Sequence, residues 1–277
     1  MTEKDEIKTP KSIGPGAWFL IGAVLIYLTV LMIAPVAALI GGTFRDGIEG
    51  LLAALGNEDF HTSFLLTLQI SLLVTIIQAV LGTITAWVLA RQDFMAKSIL
   101  NGMIDIPFAV SPVVVGYMLL LVFGRNSFLG PLLSDAGIQV AFAVPGMVLA
   151  TLFVTMPFMI REMIPVIRGL DRRQELAAAT LGAGEWTIFW RVIFPALRTG
   201  LIYGMILTLA RALGEFGAVL VIGGGAQGRT ETATLFIYRA LEERQYVGAY
   251  SAALVIGLCT VALVASADWL RHRKTAK

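Results

Sequence analysis

Charge is what this sequence has least of. Only 14% of its 277 residues are Asp, Glu, Lys or Arg, against roughly 25% in an ordinary soluble domain. A chain this short of charge cannot coat a water-facing surface, so its main solvent is lipid. Cysteine is nearly absent too. Cys259 stands alone, which excludes an internal disulfide and leaves it as a small packing residue. The two histidines, His61 and His272, fall at the ends of apolar stretches. Neither can serve Ser111 or Ser251 as a base at membrane depth, so a buried hydrolase triad is excluded. No group of Cys, His and carboxylate has metal-ligand spacing. A net charge of +2 gives no footprint for nucleic acid.

What is abundant is apolar: 57% of residues, with a mean hydropathy of +0.80. No charged residue occurs between Lys11 and Arg45, Asp59 and Arg91, Asp105 and Arg125, Asp135 and Arg161, or Arg244 and Asp268. A further stretch, Gly200 to Ile222, is interrupted only by Arg211 and Glu215. About 20 apolar residues cross a bilayer core of about 30 Å, and backbone in lipid must satisfy its own hydrogen bonds, so each run is read as a helix. The expected fold is all-α and polytopic, with six spans near 18–41, 63–90, 99–123, 141–160, 199–222 and 247–269. Residues 1–17 and 271–277 form tails on one side of an 18–270 bundle.

Orientation follows from the basic residues. With both termini inside, the inner segments hold fifteen, among them Lys4, Lys8, Lys11, Arg91, Lys97 and Arg161, and the outer loops hold five, Arg45, Arg125, Arg229, Arg239 and Arg244. The positive-inside rule then places both termini in the cytoplasm. The first run is too long for a signal-peptide h-region of 7–15 residues, and its flank mixes Glu and Asp with Lys, so it reads as an uncleaved anchor.

The long inner connection, 161–198, has a pattern of its own. Gln174 to Leu181 is a strong helix former, Gly182-Ala-Gly184 breaks it, and an amphipathic piece from Glu185 runs to a stop at Pro195. Two short helices at an angle are expected, with an apolar face that needs a partner or the headgroup layer. The pattern Ala177-Ala178-x₃-Gly182-x₉-Val192-x-Phe194-Pro195 resembles the EAA loop of ABC-importer permeases, E-A-A-x₃-G-x₉-I-x-L-P. One departure stands out: Leu176 holds the family's Glu place, with Glu175 one residue earlier. Asp105-Ile-Pro-Phe-Ala-Val-Ser-Pro112 and Arg211-Ala-Leu-Gly-Glu-Phe-Gly217 look like the sulfate/molybdate branch. Pro145-Gly-Met-Val148 and Pro157-Phe-Met-Ile-Arg-Glu-Met-Ile-Pro165 are similar to the W-type (CysW-like) permease subunits of sulfate/thiosulfate importers.

The resemblance implies a bacterial inner-membrane permease subunit with no catalytic residues and no cofactor of its own. ATP and Mg would be bound by a partner dimer of cytoplasmic ABC ATPases. Glu175, Ala177, Ala178, Gly182, Val192 and Pro195 would couple to it. A T-type second permease subunit would complete a heterodimer in the lipid bilayer, and an extracytoplasmic sulfate-binding protein would supply specificity. Molybdate or tungstate is the alternative cargo. A secondary anion transporter is the alternative class, although no paired broken segments mark two halves.

Asp105, Arg211 and Glu215 fall at membrane depth, where each costs about 2.5–3.5 kcal/mol on insertion scales and so faces protein or water. Arg211 and Glu215 are four apart and can pair on one helix face. Pro107 and Pro112 flank Ser111 and are expected to kink the third span. These six residues are the candidate translocation path or gate. Two carboxylates against one guanidinium make a poor resting site for a doubly charged anion. Gly223-Gly-Gly-Ala-Gln-Gly228-Arg229-Thr230 has the spacing of a phosphate-binding loop, but it follows a span rather than a strand and faces outward, so flexibility is the better account.

Overall fold

The computed structural model describes residues 15–275, and side chains over 16–269. The basic side chains expected in the tails lie outside that range. In chain order the helices are α1 (Pro15–Thr43), α2 (Gly47–Leu55), α3 (Glu58–Arg91), α4 (Lys97–Ala109), α5 (Pro112–Phe123), α6 (Gly130–Asp135) and α7 (Val144–Arg168). Then follow α8 (Arg172–Thr180), α9 (Glu185–Ile188), a wide π turn (Phe189–Ile193), α10 (Phe194–Leu213), α11 (Gly217–Gly223), α12 (Ala233–Glu242) and α13 (Tyr246–Thr275). Among the described residues there is no strand. The all-α, multi-helix membrane architecture expected from the uncharged runs is the one observed.

Five helices are long and apolar enough to cross a membrane: α1, α3, α7, the continuous stretch Glu185–Leu213, and α13. The third expected span is instead two helices, α4 and α5, bent by 112°. The cause is local. Proline disfavours helical geometry in the residue before it, and Ser111 accordingly sits extended at ψ 136° with Pro112 opening α5. At that first position the missing N–H removes no helical hydrogen bond. Pro107 lies inside α4 without ending it. The break lies at Val110 and Ser111, directly before Pro112; both prolines were expected to kink the span.

The fifth span also differs from expectation. It begins at Glu185 and stops at Leu213, and Gly217–Gly223 forms a separate helix. Pro195 was expected to stop the amphipathic piece, yet it stands at the start of α10. The π turn just before it supplies the accommodation: looser i→i+5 bonding leaves room where a proline ring would crowd the carbonyl four residues back.

α7 is the axis of the bundle. Met147, Ala150, Met159, Met163 and Ile167 on it are fully buried. α3 packs along most of its length, and α10 crosses both. Small residues permit close approach, the usual device where lipid gives no hydrophobic drive between helices. Gly116 of α5, for example, faces the backbone of Ala218 of α11. α1 stands outside this core, packed on α13 and α2, with Trp18, Phe19, Leu25 and Ile33 exposed. An apolar helix so uncovered fits lipid and does not fit water.

The helix ends define two faces. Asn57 caps α3 at the far end by accepting from the Asp59 N–H at 2.8 Å. Arg91 ends α3 at the loop end, where α8 and α9 lie.

Candidate functional site

At the loop end, Asp171 caps α8 by accepting from the Arg173 N–H at 2.9 Å. The helix closes at Leu181, and Gly182 turns the chain at φ +84°, in the left-handed region. Nothing lies within 4 Å of where a Cβ would stand there, so glycine is required by backbone angle and not by space. The chain then returns through α9 into the π turn, against which α8 packs. The connection expected over 161–198 is shorter in fact: Arg161–Arg168 belong to α7 and everything after Gly184 to the α9–α10 helix.

The result is a compact knob. Leu176 is 66% exposed, Leu181 88% and Trp186 73%. Trp186, Phe189, Trp190 and Phe194 pack on one another, mostly edge to face or tilted, with ring centroids 4.9 to 6.1 Å apart. Ala177 is exposed and Ala178 half-buried on the same short helix, whereas Val192 and Pro195 belong to the helix above it. Glu175 turns inward, its Oε1 2.6 Å from Arg91 Nη2 at the end of α3.

The α4–α5 break opens a second feature. A cavity of about 420 Å³ is lined by Pro107, Ser111 and Pro112, with Val154 and Phe158 of α7 and Arg211 of α10. Four of the six residues expected on a path therefore meet there, and two do not. Asp105 is held by Arg161, whose Nε donates to Oδ1 at 3.0 Å and Nη2 to Oδ2 at 2.5 Å, while Nη1 donates to the Asn101 side chain at 2.8 Å. Arg161 was read from sequence as the edge of a span, but it lies within α7. Glu215 is nearly fully buried, 2.9 Å from Arg211 Nη2, and its Oε1 accepts from the Ala218 N–H at 3.1 Å. That pair survives although α10 ends between the two residues. Each carboxylate thus has its own guanidinium. The expected excess of one negative charge is cancelled once Arg161 is counted.

The far end holds a cluster that the sequence reading passed over. Glu231, 2% exposed, receives Arg239 Nε at 2.6 Å and Nη2 at 3.1 Å, and Ser63 Oγ at 3.2 Å. Asp59 lies 3.5 Å from the same guanidinium and accepts from Gln227 Nε2 at 2.6 Å. The Glu231 hydrogen bonds hold the Arg239 guanidinium well above its ordinary pKa, against the opposing pull of burial. The glycine-rich loop that resembled a phosphate site follows a helix, α11. Gly224, Gly225 and Gly228 take left-handed φ values, and Thr230 Oγ1 ties the loop shut, donating to Gly223 O at 2.8 Å and accepting from Ala226 N at 2.9 Å. The glycines there supply the left-handed backbone angles of the turn.

Among the described residues no group of three or more His, Cys, Asp and Glu could hold a metal ion.

Residues 78–274 match the family described as "Binding-protein-dependent transport system inner membrane component". The chain is 41% identical over 256 residues to the sulfate transport system permease protein CysW of Synechocystis sp., covering 92% of this chain and 93% of that one. It is 32% identical to the sulfate transport system permease protein CysT of Escherichia coli K12, over 94% of each. Among solved structures, a bacterial alginate ABC transporter in complex with its pentasaccharide-bound periplasmic protein superposes with a TM-score of 0.75, at 16% identity, over 93% of this chain and 95% of that one. At that identity the likeness speaks for the fold.

Proposed function

The chain belongs to the family of binding-protein-dependent transport system inner membrane components, and from that premise we propose that it is the W-type permease subunit of an ATP-driven sulfate/thiosulfate importer. The observation that carries the cargo is the 41% identity to a sulfate permease along nearly the whole of both chains. The weaker likeness to a T-type relative, 32%, supports a heterodimer in which this chain is the W-type half. In this reading the loop end is cytoplasmic, both termini lie on that side, and the knob seats in a groove of an ABC ATPase.

The geometry suits that division of labour. Leu176, Leu181 and Trp186 are large apolar side chains held in the open on short helices, and burying such groups against a partner supplies about 1.5–3 kcal/mol each. ATP and Mg belong to the ATPase; this chain contributes no catalytic group.

Along the path, Asp105–Arg161 and Arg211–Glu215 are neutral pairs. A divalent anion entering the cavity at the α4–α5 break meets Arg211, whose side chain is 30% exposed there, but no net positive charge. Such a site lets the anion pass and does not store it, so affinity and selectivity rest with an extracytoplasmic binding protein.

The test is purification through this chain, identification of what comes with it, and uptake into proteoliposomes. ATPase, T-type permease and sulfate-stimulated ATP hydrolysis should appear together. Sulfate uptake that persists without ATP would sink the reading in favour of a gradient-driven carrier, and uptake of molybdate in preference to sulfate would reassign the cargo.

A further inference from the structure

We propose that Arg91 is a positioning residue that locks the coupling helix α8 to α3, so that movement of the knob reaches α3 as well as α10, with which α9 is continuous. The proposal rests on the permease reading given above. α3 is unbroken over 34 residues, about 51 Å at 1.5 Å per residue. Its last residue is Arg91, whose side chain is only 10% exposed despite lying at a helix end. Arg91 is held at three points, two on the guanidinium and one on its backbone. Trp87, one turn earlier, lies under it, 5.0 Å from Cζ to the ring centroid. Glu175 Oε1 accepts from Nη2 at 2.6 Å. The Arg91 backbone carbonyl in turn accepts from Arg172 Nη2 at 3.5 Å. So α8 is fastened to α3 twice, through residues in its own first turn.

The displacement of the acidic residue explains the arrangement. Glu175 stands one residue before the place that Leu176 fills, about 100° around a helix. That rotation turns the carboxylate toward the bundle and leaves an apolar side chain, two-thirds exposed, pointing away from it. α8 is therefore joined to its own bundle by charge, the α9 and π-turn half by the packing of Ile188, Phe189 and Ile193 on the core, and the knob offers its partner an apolar surface. α3 is suited to carry what it receives. It packs along α7 more extensively than any other helix does, and its opposite end holds Ser63 and Asp59, both engaged in the Glu231–Arg239 cluster.

The experiment uses the whole reconstituted importer: both permeases, the ATPase and the binding protein, with sulfate as cargo. For Arg91→Ala, the complex should assemble and hydrolyse ATP, but stimulation by loaded binding protein and sulfate moved per ATP should fall about tenfold, the scale on which residues along a coupling network act. Arg91→Lys, which keeps the charge but loses the fork, should fall between Ala and wild type. The exchange of both charges, Arg91→Glu with Glu175→Arg, should regain most of the loss. Normal coupling in Arg91→Ala overturns the proposal, as does an exchange variant that assembles yet stays uncoupled. Loss of ATPase co-purification with Arg91→Lys also overturns it, since that would make Arg91 part of the docking surface. The underlying permease reading fails separately, by an absence of ATP-dependent uptake in the wild-type complex.

Discussion

The two ends of this bundle treat polarity in opposite ways. At the far end, Asp59, Ser63, Gln227, Glu231 and Arg239 come from three separate stretches of chain and satisfy one another. Nothing there needs another molecule to be complete. At the loop end the ion pair Arg91–Glu175 is drawn inward, while Leu176, Leu181 and Trp186 stand in the open. The cluster is closed on itself and the knob is unfinished. The contrast separates a clamp that holds helices from a surface built to be covered.

The sharpest way to break that contrast is at the closed end. Glu231→Ala leaves the Arg239 guanidinium partly buried with its best partner gone. Removing one member of a buried pair costs about 3–5 kcal/mol. Part of this is recovered here through Asp59 and Glu243, which also reach Arg239. Thermal unfolding of the detergent-solubilised complex should show a clear fall in Tm. An unchanged Tm would mean the far end is not a clamp.

The open end should respond in function first. Gly182→Arg forces a side chain into a left-handed backbone, at about 1–2 kcal/mol of local strain, in a connection outside the bundle core. The chain should still reach the membrane, with its Tm little changed, while ATPase co-purification and uptake collapse. Leu176→Asp is milder. Its effect on stability should stay within about 0.5 kcal/mol, as for other exposed positions. Co-purified ATPase should drop, because a carboxylate replaces the apolar contact. Normal ATPase recovery with both variants would move the docking surface elsewhere.

How much of this was legible beforehand depended on the range of the interaction. Long uncharged runs gave the membrane helices, since insertion is a property of a segment by itself. The turn at Gly182 was legible for the same reason: a glycine after an Ala-rich helix is local chemistry. Pairings across the chain were not. Arg161 reads as the border of a span, and only the packing of α4 against α7 brings it to Asp105, 56 positions away. Glu231 and Arg239 look like loop residues until α3 supplies Ser63 and Asp59. Two departures lie at prolines. Pro195 breaks helices on average, and the π turn that accommodates it is not visible without the backbone, whereas Pro112 announced a bend in the third span but not its angle.

The smallest predicted effect bears on that last point. Pro107 and Pro112 both line the cavity beside Arg211, but they occupy different backbone settings. Pro112 opens α5, so replacing it with Ala removes no clash and exposes no needed N–H. It gives Ser111 back its helical option and raises the entropy of the unfolded chain, for a loss of about 0.4–1 kcal/mol. Pro107 sits inside α4, buried, where Ala would regain a helical hydrogen bond and lose ring packing, two changes of opposite sign. If the bend is what keeps the cavity open, Pro112→Ala should lower sulfate uptake at unchanged ATPase recovery, and Pro107→Ala should lower it less. The reverse order would place the working joint within α4, and the cavity would then be a by-product of packing around a fixed corner.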